Sequence, residues 1–261
     1  MKLKLLTIFI TFLFFTNISA QDLSANDSLL LQAIGNLNQA IDNWNEADLQ
    51  SNRAQLERLL DQNDQKYLVH YYIAFAEYNL VNFYQAQKKE DMLAKLLDDG
   101  VEHLEQAIQI DVNFAEAYGL LSSLLGQKIG LSPIKGIFLG PKSGSNMATA
   151  LELDPNNPRL HYLAGVNAFF TPAMFGGGID IARNSLKQAI DLFKTYKVTK
   201  RLYPQWGERE AYTWLGIIAA KSDSLKLAHS YYKSALEISP GFKWVELELL
   251  PNLNKKTASD E

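Results

Sequence analysis

Hydrophobic residues recur along this chain at steps of three and four, the spacing that lines one face of an α-helix. Leu29-Leu30-Leu31, Ile34, Leu37, Ile41 and Trp44 predict a first helix, with Asp27 or Ser28 placed to cap its start. Leu49, Ala54, Leu56 and Leu59-Leu60 predict a second helix over residues 46–60, and Asp61-Gln62-Asn63-Asp64 reads as a turn. A third helix spans 66–87. Its aromatic residues Tyr71, Tyr72, Phe75, Tyr78, Phe83 and Tyr84 surround most of the cylinder, so it is expected at the centre, contacted from several sides.

From Gly100 the pattern becomes repetitive. Leu104 and Ala107 end one helix before IDVNF; Tyr118, Leu121, Ser122 and Leu125 fit the next, and Ser143, Met147, Ala150 and Pro155 its partner. His161, Ala164, Gly165 and Ala168 begin another pair that Ala182, Leu186 and Ala189 complete. Tyr212, Leu215, Gly216, Ala219, Ala228, Tyr232, Ala235 and Pro240 form the most regular unit, and a helix over 243–250 would cover the end. Small residues at such positions let two antiparallel helices approach closely, and Pro marks the turn to the next pair.

These positions resemble the skeleton of the tetratricopeptide repeat (TPR), W-x2-L-G-x2-Y…A-x3-F…P, with a period of about 34 residues. The resemblance covers residues 100–240, with Val112 where the turn Pro would stand, Ser122 in place of Gly, and His161 in place of Trp, which predicts a core position for that histidine. It implies an all-α fold, a right-handed α-solenoid of antiparallel hairpins. The equivalent alanines 107, 150, 189 and 235 lie 43, 39 and 46 residues apart, longer than the repeat by about 9, 5 and 12 residues. Two of the insertions are expected as long loops inside hairpins, at 126–142 and 171–178, neighbours on one edge. The third, TYKVTKRLYPQWGE, falls between hairpins on the opposite edge. More narrowly, GPKS, LDPNNPR, TP-x-x-FGGG and P-x-WG-x-x-EAY-x-WLG resemble exported bacterial TPR proteins and, distantly, the TPR-type partner subunit of periplasmic TRAP transport systems.

Composition changes this picture little. The N-terminus, MKLKLLTIFITFLFFTNISAQ, has a basic start, an apolar run and an A-x-A-like end at Ile18-Ser19-Ala20, which predicts a signal peptide over 1–20 and a single mature TPR-like domain over 21–261. That domain divides into divergent helices (21–99), recognisable repeats (100–240) and a capping helix and tail (241–261). The alternative is a retained anchor, for which the apolar run is short, since a spanning helix needs about 20 apolar residues. The chain has no Cys, so lipoprotein processing is closed and the expected place is a soluble periplasmic one. A formal charge of −4 gives no footprint for nucleic acid or anionic lipid.

The motifs that suggest chemistry are weak. Gly136 to Ser143 is one residue short of a phosphate loop, and Pro141 deletes an N–H donor. Phe175-Gly176-Gly177-Gly178 before a helix could offer free amides to an anion. The packing alternative is preferred: the glycines allow positive φ and close passage, and Phe175 anchors the loop in apolar surroundings. The histidines 70, 103, 161 and 229 lack metal-ligand spacing, and no catalytic residue, metal or cofactor is expected. The leading expectation is a non-catalytic scaffold whose concave groove binds a protein or peptide through Arg159, Tyr162, Val166, Phe169, Glu210, Thr213 and Ile217. The alternative is a TRAP-like accessory subunit handling a small apolar ligand in an enclosed pocket near the inserted loops.

Overall fold

The computed structural model describes residues 23–259, so the expected signal peptide over 1–20 lies outside the described residues. Among these, helices follow one another in antiparallel pairs with no strand. The pairs are α1 (Ala25–Asn43) with α2 (Glu46–Leu59), α3 (Lys66–Ala86) with α4 (Leu93–Ile110), α5 (Ala115–Leu131) with α6 (Gly136–Leu153), α7 (Pro158–Phe170) with α8 (Ile179–Phe193), and α9 (Glu208–Lys221) with α10 (Leu225–Ile238). Wider turns over Trp244–Leu249 lead into α11 (Leu250–Ser259). This is a right-handed helical-repeat solenoid.

Local chemistry sets the boundaries. Ser24, rather than Asp27 or Ser28, caps α1 by accepting the Asp27 amide, and Asn45 and Asn157 cap α2 and α7 in the same way. The repeat alanines Ala107, Ala150, Ala189 and Ala235 are fully buried between paired helices. At Gly216 an added Cβ would stand 2.4 Å from the Tyr232 ring, which explains why the position must stay small. His161 departs from the core expectation: it is half-buried, with Nε2 2.8 Å from the Pro155 carbonyl.

The inserted residues behave in three different ways. Residues 126–142, expected as a loop, are mostly helix: α5 runs on to Leu131, a short turn covers Pro133–Lys135, and α6 starts at Gly136. Leu139 and Met147 of α6 pack partly buried against the core. Pro141 is tolerated because it faces solvent near the helix start, where water can serve the carbonyl it leaves unpaired. The 171–178 insertion is a tight turn at the same edge. The third insertion leaves α8 on the opposite edge and then folds inward.

That inward fold completes the core. Leu202, Pro204 and Trp206 are buried against α3. Trp206 stacks on Phe75 at 4.4 Å and donates its indole N–H to the Tyr71 hydroxyl, while the Tyr72 hydroxyl donates to the Leu202 carbonyl at 2.8 Å. Helix α3 is therefore enclosed on all sides, as its aromatic pattern predicted. The superhelix also closes on itself. Trp44 stacks on Trp244 at 5.2 Å and donates to Glu248, and Arg209 bridges Asp42 and Ser239.

Candidate functional site

In a helical-repeat array the first helix of each hairpin lines the concave face. Here α5, α7 and α9 place equivalent residues in rungs: Glu116, Arg159 and Glu210 lowest, then Gly119, Tyr162 and Thr213, then Ser123, Val166 and Ile217, and finally Gly126, Phe169 and Ala220 near the hairpin tips. The two lowest rungs are closed, the highest is the most open, and the third is mixed, with Val166 buried and Ile217 half-buried.

The lower rungs are closed. Arg159, Tyr162, Val166 and Thr213, expected to be exposed for binding, are all buried. The reason is the aromatic helix α3 and the inward-folded 198–207 segment, which occupy the space a partner would need; Trp206 meets Tyr162 edge-on at 5.7 Å. Arg159 contacts Glu116 through Nη2 at 2.6 Å and Nε at 2.7 Å, and Asn157 donates to the same carboxylate oxygen. Burial works against the guanidinium's charge, but the Glu116 carboxylate outweighs it and holds the Arg159 pKa above its ordinary value. Glu210 accepts from the Gly207 amide and from Arg209, so it caps α9 and steadies the latch to Asp42. Thr213 is satisfied by its own helix through the Arg209 carbonyl.

The upper rungs are open. Phe169 and Ile217 are half-buried and Phe170 is exposed. Phe169 and Phe170 both meet the Trp214 ring edge-on, at 5.4 and 5.5 Å, and Lys221 Nζ lies 4.7 Å from the Phe169 centroid. Polar groups border this mouth. Gln127 donates to Asn82 at 3.0 Å, and Asn167 links Ser122 and Ser123. The Gln127 Oε1 is buried without a hydrogen-bond partner, an orphan acceptor on the rung above Ser123.

The glycine turn is fully committed to its own backbone. The Gly176, Gly177 and Gly178 amides donate to the carbonyls of Ala173, Pro172 and Ala168, leaving no cradle for an anion. Gly176 and Gly178 have φ of 84° and 112°, and a Cβ on Gly177 would fall 2.0 Å from the Thr171 oxygen. The close passage is thus against the turn itself and not a neighbouring hairpin. Phe175 corrects the expectation of an apolar anchor, because its ring is exposed. Gly136 to Ser143 lies within α6 and forms no phosphate loop.

Folding brings together two histidines that sequence spacing left apart. His70 Nδ1 and His103 Nδ1 are 2.9 Å apart, and burial, with the neighbouring His70 charge, lowers the His103 pKa to about 4. Among the described residues no group of three metal-ligating side chains converges. The open clefts among the described residues include two of note, one of about 270 Å³ between α1 and α2 with a polar lining of Asn36, Gln39, Asn52 and Gln55. The other, about 200 Å³, lies beside Arg183, Leu215, Leu227 and Tyr231. Neither reaches the mouth or an inserted turn, and both fall below the usual range for a small-molecule site, about 300–1,000 Å³.

No protein-family model matches the chain, and no curated protein matches it in sequence. Solved structures do. The HusA haemophore from Porphyromonas gingivalis superposes with a TM-score of 0.60 at 22% identity, over 76% of this chain and 94% of its own. TTC0263, a thermophilic TPR protein from Thermus thermophilus, superposes with a TM-score of 0.56 at 19% identity, over 90% and 98%. This chain shares the fold of TPR proteins.

Proposed function

We propose that this protein is an exported, non-catalytic helical-repeat scaffold that binds a protein or peptide segment at the mouth of its concave face. The supporting observation is the contrast within one surface: the lower rungs are filled by the protein's own aromatic residues, while Phe169, Phe170, Trp214 and Ile217 stay at least partly accessible. Aromatic rings give contact area at low entropic cost. Lys221 suits a carboxylate on the same partner. Photo-crosslinking in the native cells tests this reading. A photoreactive residue at Phe170 or Ile217 should yield a reproducible protein adduct, and one at Val112, exposed on the opposite edge, should not. Adducts at none of these sites reject it. Export is tested by the mature N-terminus, expected at Gln21; a protein retaining Met1 would refute cleavage.

A second reading follows from the likeness to the HusA haemophore: the same aromatic mouth would take a flat apolar ligand. Haemin titration decides it. A saturable change in the haem absorption that Phe170→Ala weakens supports this reading, and an unchanged spectrum ends it.

A further inference from the structure

Beyond the mouth, the hairpin tips carry an apolar surface that the proposed scaffold role leaves unused. Ile134, Ile137 and Phe138 stand on the α5–α6 tip, and Met174 and Phe175 on the α7–α8 tip. Each is between 69% and 82% exposed, so neither tip buries the other's side chains. Both tips belong to turns inside hairpins and so emerge on the same edge of the solenoid.

Charge at these two tips differs from the chain as a whole, although Asp180, paired with Arg183, follows the second turn and the neighbouring α3–α4 tip carries Glu90 and Asp91. The protein is formally −4, yet no carboxylate occurs between Glu116 and Glu152, and none between Arg159 and Asp180. The first interval holds Lys128, Lys135 and Lys142. Lys128 and Lys142 are tied to Asp98 and Glu105 of α4, whereas Lys135 stands among the exposed apolar residues and makes no ion pair among the described residues. Net charge alone suggested no affinity for anionic lipid, but the α5–α6 tip itself carries Lys135 and no carboxylate.

We infer that this edge docks on the surface of an anionic lipid bilayer, with Ile134, Ile137, Phe138, Met174 and Phe175 entering the headgroup–acyl boundary and Lys135 facing the lipid phosphates. Three features favour a bilayer over a protein partner. The side chains project from two separate convex turns, where a protein would need two matching cavities. Carboxylates, which an anionic interface repels, are missing from both turns. The mixture of Phe, Ile and Met with an unpaired Lys is the one that sits at a membrane interface, where each buried apolar group and each cation adds affinity. No described helix is long and apolar enough to cross a membrane.

Co-sedimentation of the mature protein with vesicles tests the inference. The protein should pellet with equimolar phosphatidylglycerol and phosphatidylcholine, and much less with phosphatidylcholine alone. Phe138→Glu should lower the partition coefficient about tenfold, and Phe138→Glu with Phe175→Glu should abolish it, with the circular dichroism spectrum unchanged. Lys135→Glu should weaken binding to the anionic vesicles only. Phe138→Trp should gain fluorescence quenching by brominated lipid beyond that of the native protein. The inference is overturned if neither vesicle type retains the protein, if the double variant binds as well as the native chain, or if the double variant only dissolves a dimer seen by analytical ultracentrifugation. None of these residues is among those assigned to the mouth, so loss of lipid binding with crosslinks at Phe170 intact distinguishes this inference from the proposed function.

Discussion

The lower and upper parts of the concave face are built from equivalent positions of the same three helices, α5, α7 and α9, yet they have opposite fates. Below, Arg159, Tyr162 and Thr213 are buried under Trp206 and α3. Above, Phe169 and Ile217 are only half-buried, and Phe169 meets the partly exposed Trp214 edge-on. The difference is not in the repeat. It comes from a connector outside the repeat, residues 198–207, and from an N-terminal helix with aromatic residues on every side. A groove can be a binding surface in one array and an internal interface in another, depending on what the same chain supplies to fill it.

The comparison can be broken most severely at Trp206. Trp206→Ala removes the ring stacked on Phe75 and should cost about 3–5 kcal/mol, lowering Tm by about 10 °C while raising the binding of a hydrophobic dye. Unchanged dye binding would show that the lower groove is closed by other means. Arg159→Ala should cost a similar amount, about 3–5 kcal/mol, because it strands the Glu116 carboxylate in the core. Adding Glu116→Gln should recover part of that loss in chemical denaturation. If the double variant is no more stable than Arg159→Ala, the buried pair is not what decides the cost. Gly177→Ala, which forces a Cβ onto the Thr171 oxygen, should destabilise by about 1–3 kcal/mol. Loss of binding with stability unchanged would make the turn a site instead.

Acidity probes the enclosed side. Burial raises the Glu77 pKa to about 8 despite its 2.8 Å contact with Arg53. Folded Glu77 keeps a proton that the unfolded chain releases from about pH 4.5 upward, so stability should fall as pH rises toward 8. His103 acts in the opposite direction. Its folded value of about 4 lies below the unfolded 6.5, so stability should fall as pH drops through that interval. The two effects oppose each other between about pH 4.5 and 6.5, so thermal unfolding should show a broad plateau there and fall on either side. Glu77→Gln should flatten the alkaline limb and leave the acid limb; an unchanged alkaline limb would remove Glu77 from the account. The smallest effect belongs to the exposed tips, where Phe138→Ser and Phe175→Ser should each change stability by less than about 0.5 kcal/mol.

How legible this was depended on the range of the interaction. The repeat alanines and Gly216 sit where two adjacent helices touch, so their spacing announced the hairpins directly. The aromatic shell of α3 announced a central helix, though not what would surround it. The sites were read less well. Phe169 and Ile217 reached the open mouth, but Arg159, Tyr162, Val166 and Thr213 were assigned to it from repeat geometry, which assumes an empty groove. A clue was present in Tyr203-Pro204-Gln205-Trp206, a connector too apolar to remain in water, but its contacts to Tyr71 and Phe75 cross more than 120 residues.

The sequence by itself determined helices, their pairing and their order, because these follow from periodicity and from contacts between neighbours in the chain. Tertiary structure alone decided that residues 126–142 would extend two helices, that the 198–207 segment would fold into the groove, and that Trp44 would meet Trp244. Each depends on surfaces brought together from distant parts of the chain. A local pattern of apolar and polar residues shows which side chains must be covered. Only the closed superhelix shows which residues do the covering.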